Sequence, residues 1–344
     1  MVPDNCSAPP WARTECPYAD LRRFSRKSDV LRKEPTVAAG KKAILAAMFA
    51  NGGIAVAKFV GAAITGSASM LAEGVHSVAD TCNQGLLLLG QRRAEQEANN
   101  LHQFGYGRSR YFYSFVVALV LFTLGSLYAL YEGVHKIQHP EELTRPFIAI
   151  GILGFAILLE CFSFYTAIKE SRPLKGEASW WQFIRTSRHP ELPVVLLEDA
   201  GALIGLVLAF GAVSLTMITD NPIWDGIGTL SIGILLGIIA VILIVEMHSL
   251  LIGEGATAKD DKVIRDNLVD GTRIERVIHL RTQYLGPEEL LVAAKVSIAR
   301  GLEISDIAAA IDDAEARVRA AVPAARVMYL EPDLYRSSPA VPGV

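Results

Sequence analysis

Long, nearly unbroken apolar runs dominate the first three quarters of this chain. Six segments are each about 20 residues long, which is what a hydrocarbon core about 30 Å thick demands at about 1.5 Å per helical residue. They cover residues 43–64, 70–89, 112–134, 147–168, 193–218 and 224–245. The last four are cleanly apolar. The first two carry polar residues inside the run, and those residues become the candidates for chemistry.

After Gly253 the pattern becomes that of a small soluble fold. Residues 259–269 have helical spacing, 274–282 and 290–298 read as strands around a Gly286-Pro287 turn, 304–321 is helical and 326–330 is a last strand. The predicted fold is therefore an α-helical membrane protein, with six transmembrane helices followed by a small α+β domain of order α-β-β-α-β. The expected divisions are an arm over 1–40 without fixed structure, a transmembrane domain over 41–252, a carboxy-terminal domain over 253–334 and a tail over 335–344.

Composition agrees with a membrane class: of 344 residues, 51% are hydrophobic and only 20% charged. A net charge of -3 gives no reason to expect a nucleic-acid partner. Cys6, Cys16, Cys82 and Cys161 have neither disulfide-framework nor zinc-ligand spacing. Basic residues cluster in the amino-terminal arm, in the second connection (Arg92, Arg93, Arg108, Arg110) and in the fourth (Lys169, Arg172, Lys175, Arg185, Arg188). The positive-inside rule then puts both termini in the cytosol, with the plasma (inner) membrane as the expected location.

In the second segment Glu73, His76, Asp80, Asn83 and Gln84 recur at spacings of three and four, so they share one stripe of a helix. A charged carboxylate at mid-membrane costs roughly 2.5–3.5 kcal/mol on insertion scales, so such a stripe faces protein or water. His76 and Asp80, one turn apart, either point at one ion together or form a hydrogen-bonded pair that holds helices together. The fifth segment has a single charged island, Glu198-Asp199. Adjacent residues lie about 100° apart on a helix, so one acid faces the stripe and the other needs its own partner. One imidazole and two carboxylates suit a divalent transition metal such as zinc, with a fourth position to fill. Once the metal leaves, those carboxylates need protons, so metal and protons compete and a midplane site yields antiport.

The run from Asn51 through Lys58 and Gly61 to Gly66-Ser67-Ala68-Ser69-Met70-Leu71-Ala72-Glu73-Gly74-Val75-His76-Ser77-Val78-Ala79-Asp80 resembles the first two helices of the cation diffusion facilitators, proton-coupled exporters of zinc and related metals. Phe104-Gly105-Tyr106-Gly107-Arg108 resembles that family's FGHGK segment. The resemblance implies a homodimer whose carboxy-terminal domain is shaped like a metallochaperone. It implies zinc, or manganese, iron or cobalt, as cargo, with no organic cofactor and no enzymatic activity. It also implies a transport site of His76, Asp80 and Asp199. Where the family's fifth helix carries HxxxD, Val195 stands at the histidine position, so Glu198 or water supplies the fourth ligand. The Leu-Leu-Glu-Asp run resembles a divergent branch that includes a mitochondrial zinc transporter.

Accessory positions are Glu73, Asn83, His102 and Glu331. His102 matches a family histidine, but Asn99 and Tyr106 replace the Asp and His of members with a second zinc site. Ile278, Lys295 and Tyr329 replace histidines of zinc-sensing members, so the domain is expected to dimerise without binding zinc tightly. Lys58 and Asn51 snorkel, pair with Glu73 or contact the ion. Glu160 is either a gate or proton relay, or a structurally paired acid. A membrane metal sensor and a passive channel are the alternatives to a carrier.

Overall fold

The computed structural model describes residues 35–65, 68–140 and 146–335, without the side chains of residues 35–43, 61–62, 65, 68–76 and 79. The expected arm and tail lie largely outside these residues. Residues 35–40, expected in the arm, instead open helix α1 (Pro35–Thr65). A proline suits that place, because its fixed φ is helical and the N–H it lacks has no partner in a first turn.

Four further long helices and one more polar one complete the bundle. They are α2 (Ala68–Ala94), α3 (Ser109–Gln138), α4 (Pro146–Lys175), α6 (Glu191–Thr219) and α7 (Ile223–Ile252). Among the described residues α3, α4, α6 and α7 are long and apolar enough to cross a membrane. The six expected spans are thus four by this measure. In α1 the apolar stretch among the described residues, Ile44–Val60, is shorter than a span and carries Asn51 and Lys58, and α2 is interrupted by its polar stripe. Between α4 and α6 lies a short helix not foreseen from hydropathy, α5 (Trp180–Thr186). Ser179 caps it by accepting a bond from the Gln182 amide at 3.1 Å, and the Lys175 ammonium lies over the Trp180 ring.

Contacts join α1 to α2 and α4, α4 to α6, and α7 to both α3 and α6. A π-helical turn over Leu121–Leu127 widens α3. There the Ser126 hydroxyl donates to the Gly233 carbonyl at 2.9 Å. A Cβ on Gly233 would lie 2.7 Å from the Leu130 nitrogen, and one on Gly237 2.7 Å from Ser126 Oγ. The two glycines are therefore what lets α7 reach α3, as small-residue spacing predicts.

Beyond Gly253 come α8 (Ala258–Leu268), β1 (Ile274–Gly286), β2 (Glu289–Ile298), α9 (Ile304–Ala321) and β3 (Val327–Asp333), in the expected order. β1 and β2 pair antiparallel, and α9 carries the chain over to β3, which pairs parallel to β2. Alternate residues Leu290, Val292, Ala294 and Val296 point inward from β2 against Ala310, Ala314 and Val318 of α9. Small alanines on that face bring the helix close to the sheet. The first strand runs four residues past its expected end, to Gly286.

Candidate functional site

A cavity of about 240 Å³ lies among the bundle helices. Its polar wall consists of Asn51 and Lys58 from α1, Ser77 and Asp80 from α2, Glu160 from α4 and Glu198 from α6. Glu132, Lys136 and Asp225 line it near the α3–α4 and α6–α7 connections, where Lys136 pairs with Asp225 at 3.0 Å.

The carboxy-terminal part of the α2 stripe meets one of the two α6 acids. Glu198 faces α2, its two oxygens accepting from Asn83 Nδ2 at 3.2 Å and Gln84 Nε2 at 2.8 Å. Asp199 turns to α4, where Ser163 Oγ donates to it at 2.7 Å. Both acids are buried, as are Asn83 and Gln84. Glu198 thus shares the cavity lining with Asp80, while Asp199, outside that lining, is held against α4. His76 and Glu73 lie on α2 one and two turns before Asp80, and their side chains fall outside the described residues. Among the described residues no three of His, Cys, Asp and Glu form a metal-holding group. Val195, at the family's histidine position, is fully buried in the apolar core.

Two residues left ambiguous by the sequence acquire definite places. Lys58 is buried and donates to Ser77 Oγ at 3.0 Å. Glu160 is only 1% exposed and lies within the fields of Asp199, Asp80, Glu198 and Lys58. Ser163, which anchors Asp199, was not singled out; its spacing of three from Glu160 is the signal that would have found it. Like charges this close in a low dielectric demand protons or cations among them.

On the side of the carboxy-terminal region a buried ion pair joins α3 to α6. Arg110 of α3 grips both oxygens of Glu191 at the start of α6, with Nη2 to Oε2 at 2.9 Å. Glu288, from the β1–β2 turn, lies 3.9 Å from the same guanidinium. Gly107 touches that turn so closely that a Cβ would meet the Leu285 carbonyl oxygen at 2.7 Å. Burial, reinforced by the Arg110 charge, pushes the neighbouring His189 down from 6.5 to about 4. Arg188 ties the same region to Glu254 and lies over the Tyr284 ring.

The peripheral positions are occupied by other interactions. Asn99 accepts from the amides of Leu101 and His102 and donates to the Tyr106 hydroxyl, whose ring lies 4.5 Å from that of His102. Glu331 pairs with Lys295 at 3.0 Å, and Asp333 shares the same ammonium.

Residues 44–252 match the family model of the cation efflux transmembrane domain. The chain is 31% identical over 275 residues to the "proton-coupled zinc antiporter SLC30A9, mitochondrial" of Homo sapiens, covering 79% of this chain and 47% of that one. The Xenopus laevis protein of the same name is 35% identical over 242 residues, covering 69% and 43%. Metal tolerance protein C4 of Arabidopsis thaliana is 28% identical over 284 residues, covering 81% and 62%. This chain thus spans about half the length of its SLC30A9 relatives. Their mitochondrial naming overturns the expected plasma (inner) membrane location. The physical reason is that flanking Lys and Arg report which way a helix bundle sits and carry no address for the membrane that holds it. With the matched region covering more than half of its residues, the chain belongs to the cation efflux family, the cation diffusion facilitators.

Proposed function

We propose that this protein is a secondary transporter that carries a divalent transition metal, zinc first, in exchange for protons, by alternating access. The observation that carries the reading is the cavity in which Asp80, Glu160 and Glu198 share one lining inside an apolar bundle. Buried acids gathered at such a place are expensive unless they serve an ion or proton path. The buried Arg110–Glu191 pair joins α3 to α6 toward the carboxy-terminal region. The cavity lining, by contrast, extends toward the opposite ends of α3 and α7, which supports a carrier closed on one side at a time.

His76, Asp80 and Asp199 are the ligands of the reading, with Glu198 or water in the fourth position. The bonds from Asn83 and Gln84 orient Glu198, so Asn83 acts through that acid in this reading. The likeness to the proton-coupled zinc antiporters SLC30A9 supports zinc and protons as the exchanged pair. Leu196-Leu197-Glu198-Asp199 supports the divergent branch to which they belong. In the full reading α1 and α2 also cross the membrane, giving six spans. The carboxy-terminal region, 253–334, pairs two copies as a homodimer without binding zinc tightly.

Purified protein in liposomes containing a zinc-sensitive dye tests this. Uptake driven by a pH gradient is expected. Flux indifferent to the gradient would replace the carrier with a channel, and retained zinc binding without flux would replace it with a sensor. Titration with zinc, manganese, iron and cobalt, on wild type and Glu198→Gln, identifies the cargo and the fourth ligand.

A further inference from the structure

The end of α3 away from the carboxy-terminal region carries three aromatic rings that the transport reading does not use. Tyr131, His135 and His139 follow one another at intervals of four, so they line one stripe of the helix. His135 and His139 are the one pair of histidines in the chain that stand a helical turn apart. Regular helix stops at Gln138, yet the His139 amide still donates to the His135 carbonyl at 2.8 Å, which keeps His139 in register with its partner. The two imidazoles stack with ring centres 5.0 Å apart and planes 28° from parallel, and Tyr131 stacks on His135 at 6.2 Å. All three residues are exposed. Among the described residues no hydrogen bond or ion pair engages either imidazole. The neighbouring stripe holds Glu132 and Lys136, which line the cavity, with Lys136 on Asp225 at 3.0 Å. The histidines stand beside that end of the cavity and outside its lining.

We propose that His135 and His139 form a surface site for a divalent transition metal, separate from the transport site. Imidazole nitrogen is a ligand that zinc, nickel and copper(II) share. Two imidazoles one turn apart on a helix converge on one ion, which is the spacing by which other helices present paired histidines to zinc. Zn–N bonds of about 2.0–2.1 Å set at a tetrahedral angle place two imidazole centres about 5 Å apart, and the observed separation has that size. Water completes the coordination, since among the described residues no three of His, Cys, Asp and Glu form a metal-holding group. Two protein ligands with labile waters hold an ion loosely and let it exchange. Both ligands belong to one helix end, so the site needs no movement of the bundle and does not depend on the transport reading.

Copper(II) is the probe, because it binds such ligands most tightly among the divalent first-row ions and its electron paramagnetic resonance counts the nitrogens bound to it. Full-length detergent-solubilised protein without a histidine tag is expected to show copper bound by two imidazoles. His76→Ala should keep that signature, because the transport reading supplies only a single imidazole at the cavity. His135→Phe and His139→Phe each preserve a stacked ring and remove a ligand. Each is expected to lose the signature and to lower copper affinity at least about tenfold, since even an outer partner of a ligand is worth about 10–100-fold. A ring stack that merely covers the end of α3 predicts no two-imidazole copper in the wild type. That result, a two-imidazole signal that survives either Phe variant, or its disappearance in His76→Ala overturns the proposal. Should a Phe variant not fold, His135→Gln or His139→Gln gives the same readout. Zinc flux in liposomes reports on the transport reading separately: its absence from the wild type sinks that reading and leaves the copper spectra to decide this one.

Discussion

The adjacent acids Glu198 and Asp199 inside the bundle and the acids of the carboxy-terminal region are held in different ways. In the carboxy-terminal region they are matched to cations or amides at the surface: Glu331 and Asp333 share Lys295, and Asp313 takes Arg273. Although partial burial opposes ionisation, the amides of Ile274, Thr272 and Arg273 hold Asp270 well below the usual carboxylate range. In the bundle Glu198 is held by two neutral amides and Asp199 by one hydroxyl, and both share a low-dielectric neighbourhood with Asp80 and Glu160. Hydrogen bonds from neutral donors fix direction without cancelling charge. The first arrangement matches charge with charge; the second orients the acids through neutral donors.

The sharpest way to break that contrast is at the cavity. Asp80→Ala and Asp199→Ala are each expected to lower metal flux at least about a hundredfold, as loss of a charged ligand costs several kcal/mol, with folding and dimerisation retained on size-exclusion chromatography. Flux near wild type in either would put that acid among the structural ones. Next in size is the ion pair that joins α3 to α6. Arg110→Ala strands buried Glu191, and a loss of about 3–5 kcal/mol is expected, read as a lower unfolding midpoint in detergent. A third effect is pH dependence at the same junction. His189 titrates lower in the folded protein than in the unfolded chain, so the unfolded state takes up the proton first. Stability should therefore fall as pH drops from about 6.5 towards about 4, and His189→Gln should flatten that part of the profile. The smallest effect is at the surface. Glu331→Ala is expected to change stability by less than about 1 kcal/mol and to leave zinc affinity and the proposed dimer unchanged, and that dimer should survive chelation in the wild type. A chelator that dissociated it would return the carboxy-terminal region to metal sensing.

Much of the fold was legible because its signals are local. Period-2 burial along β2 and helical spacing in α8 and α9 depend on neighbours in sequence, and their order α-β-β-α-β follows. The apolar runs of α3, α4, α6 and α7 were legible for the same reason. Helix α5 was not, since seven residues with two tryptophans carry too short a pattern. The membrane's identity was not legible either, because charge asymmetry encodes orientation alone.

For the site, the sequence by itself determined which residues carry charge into the bundle: the stripe from Glu73 to Gln84, the Glu198-Asp199 island, Lys58 and Glu160. Helical periodicity also required that Glu198 and Asp199 diverge. Only the tertiary structure decided that Glu198 takes Asn83 and Gln84 while Asp199 takes Ser163, and that Lys58 turns inward to Ser77. Periodicity fixes angles around one helix axis, whereas partners depend on how helices rotate and approach one another. That approach is set by contacts far apart in sequence, such as Ser126 with Gly233 and Arg110 with Glu191.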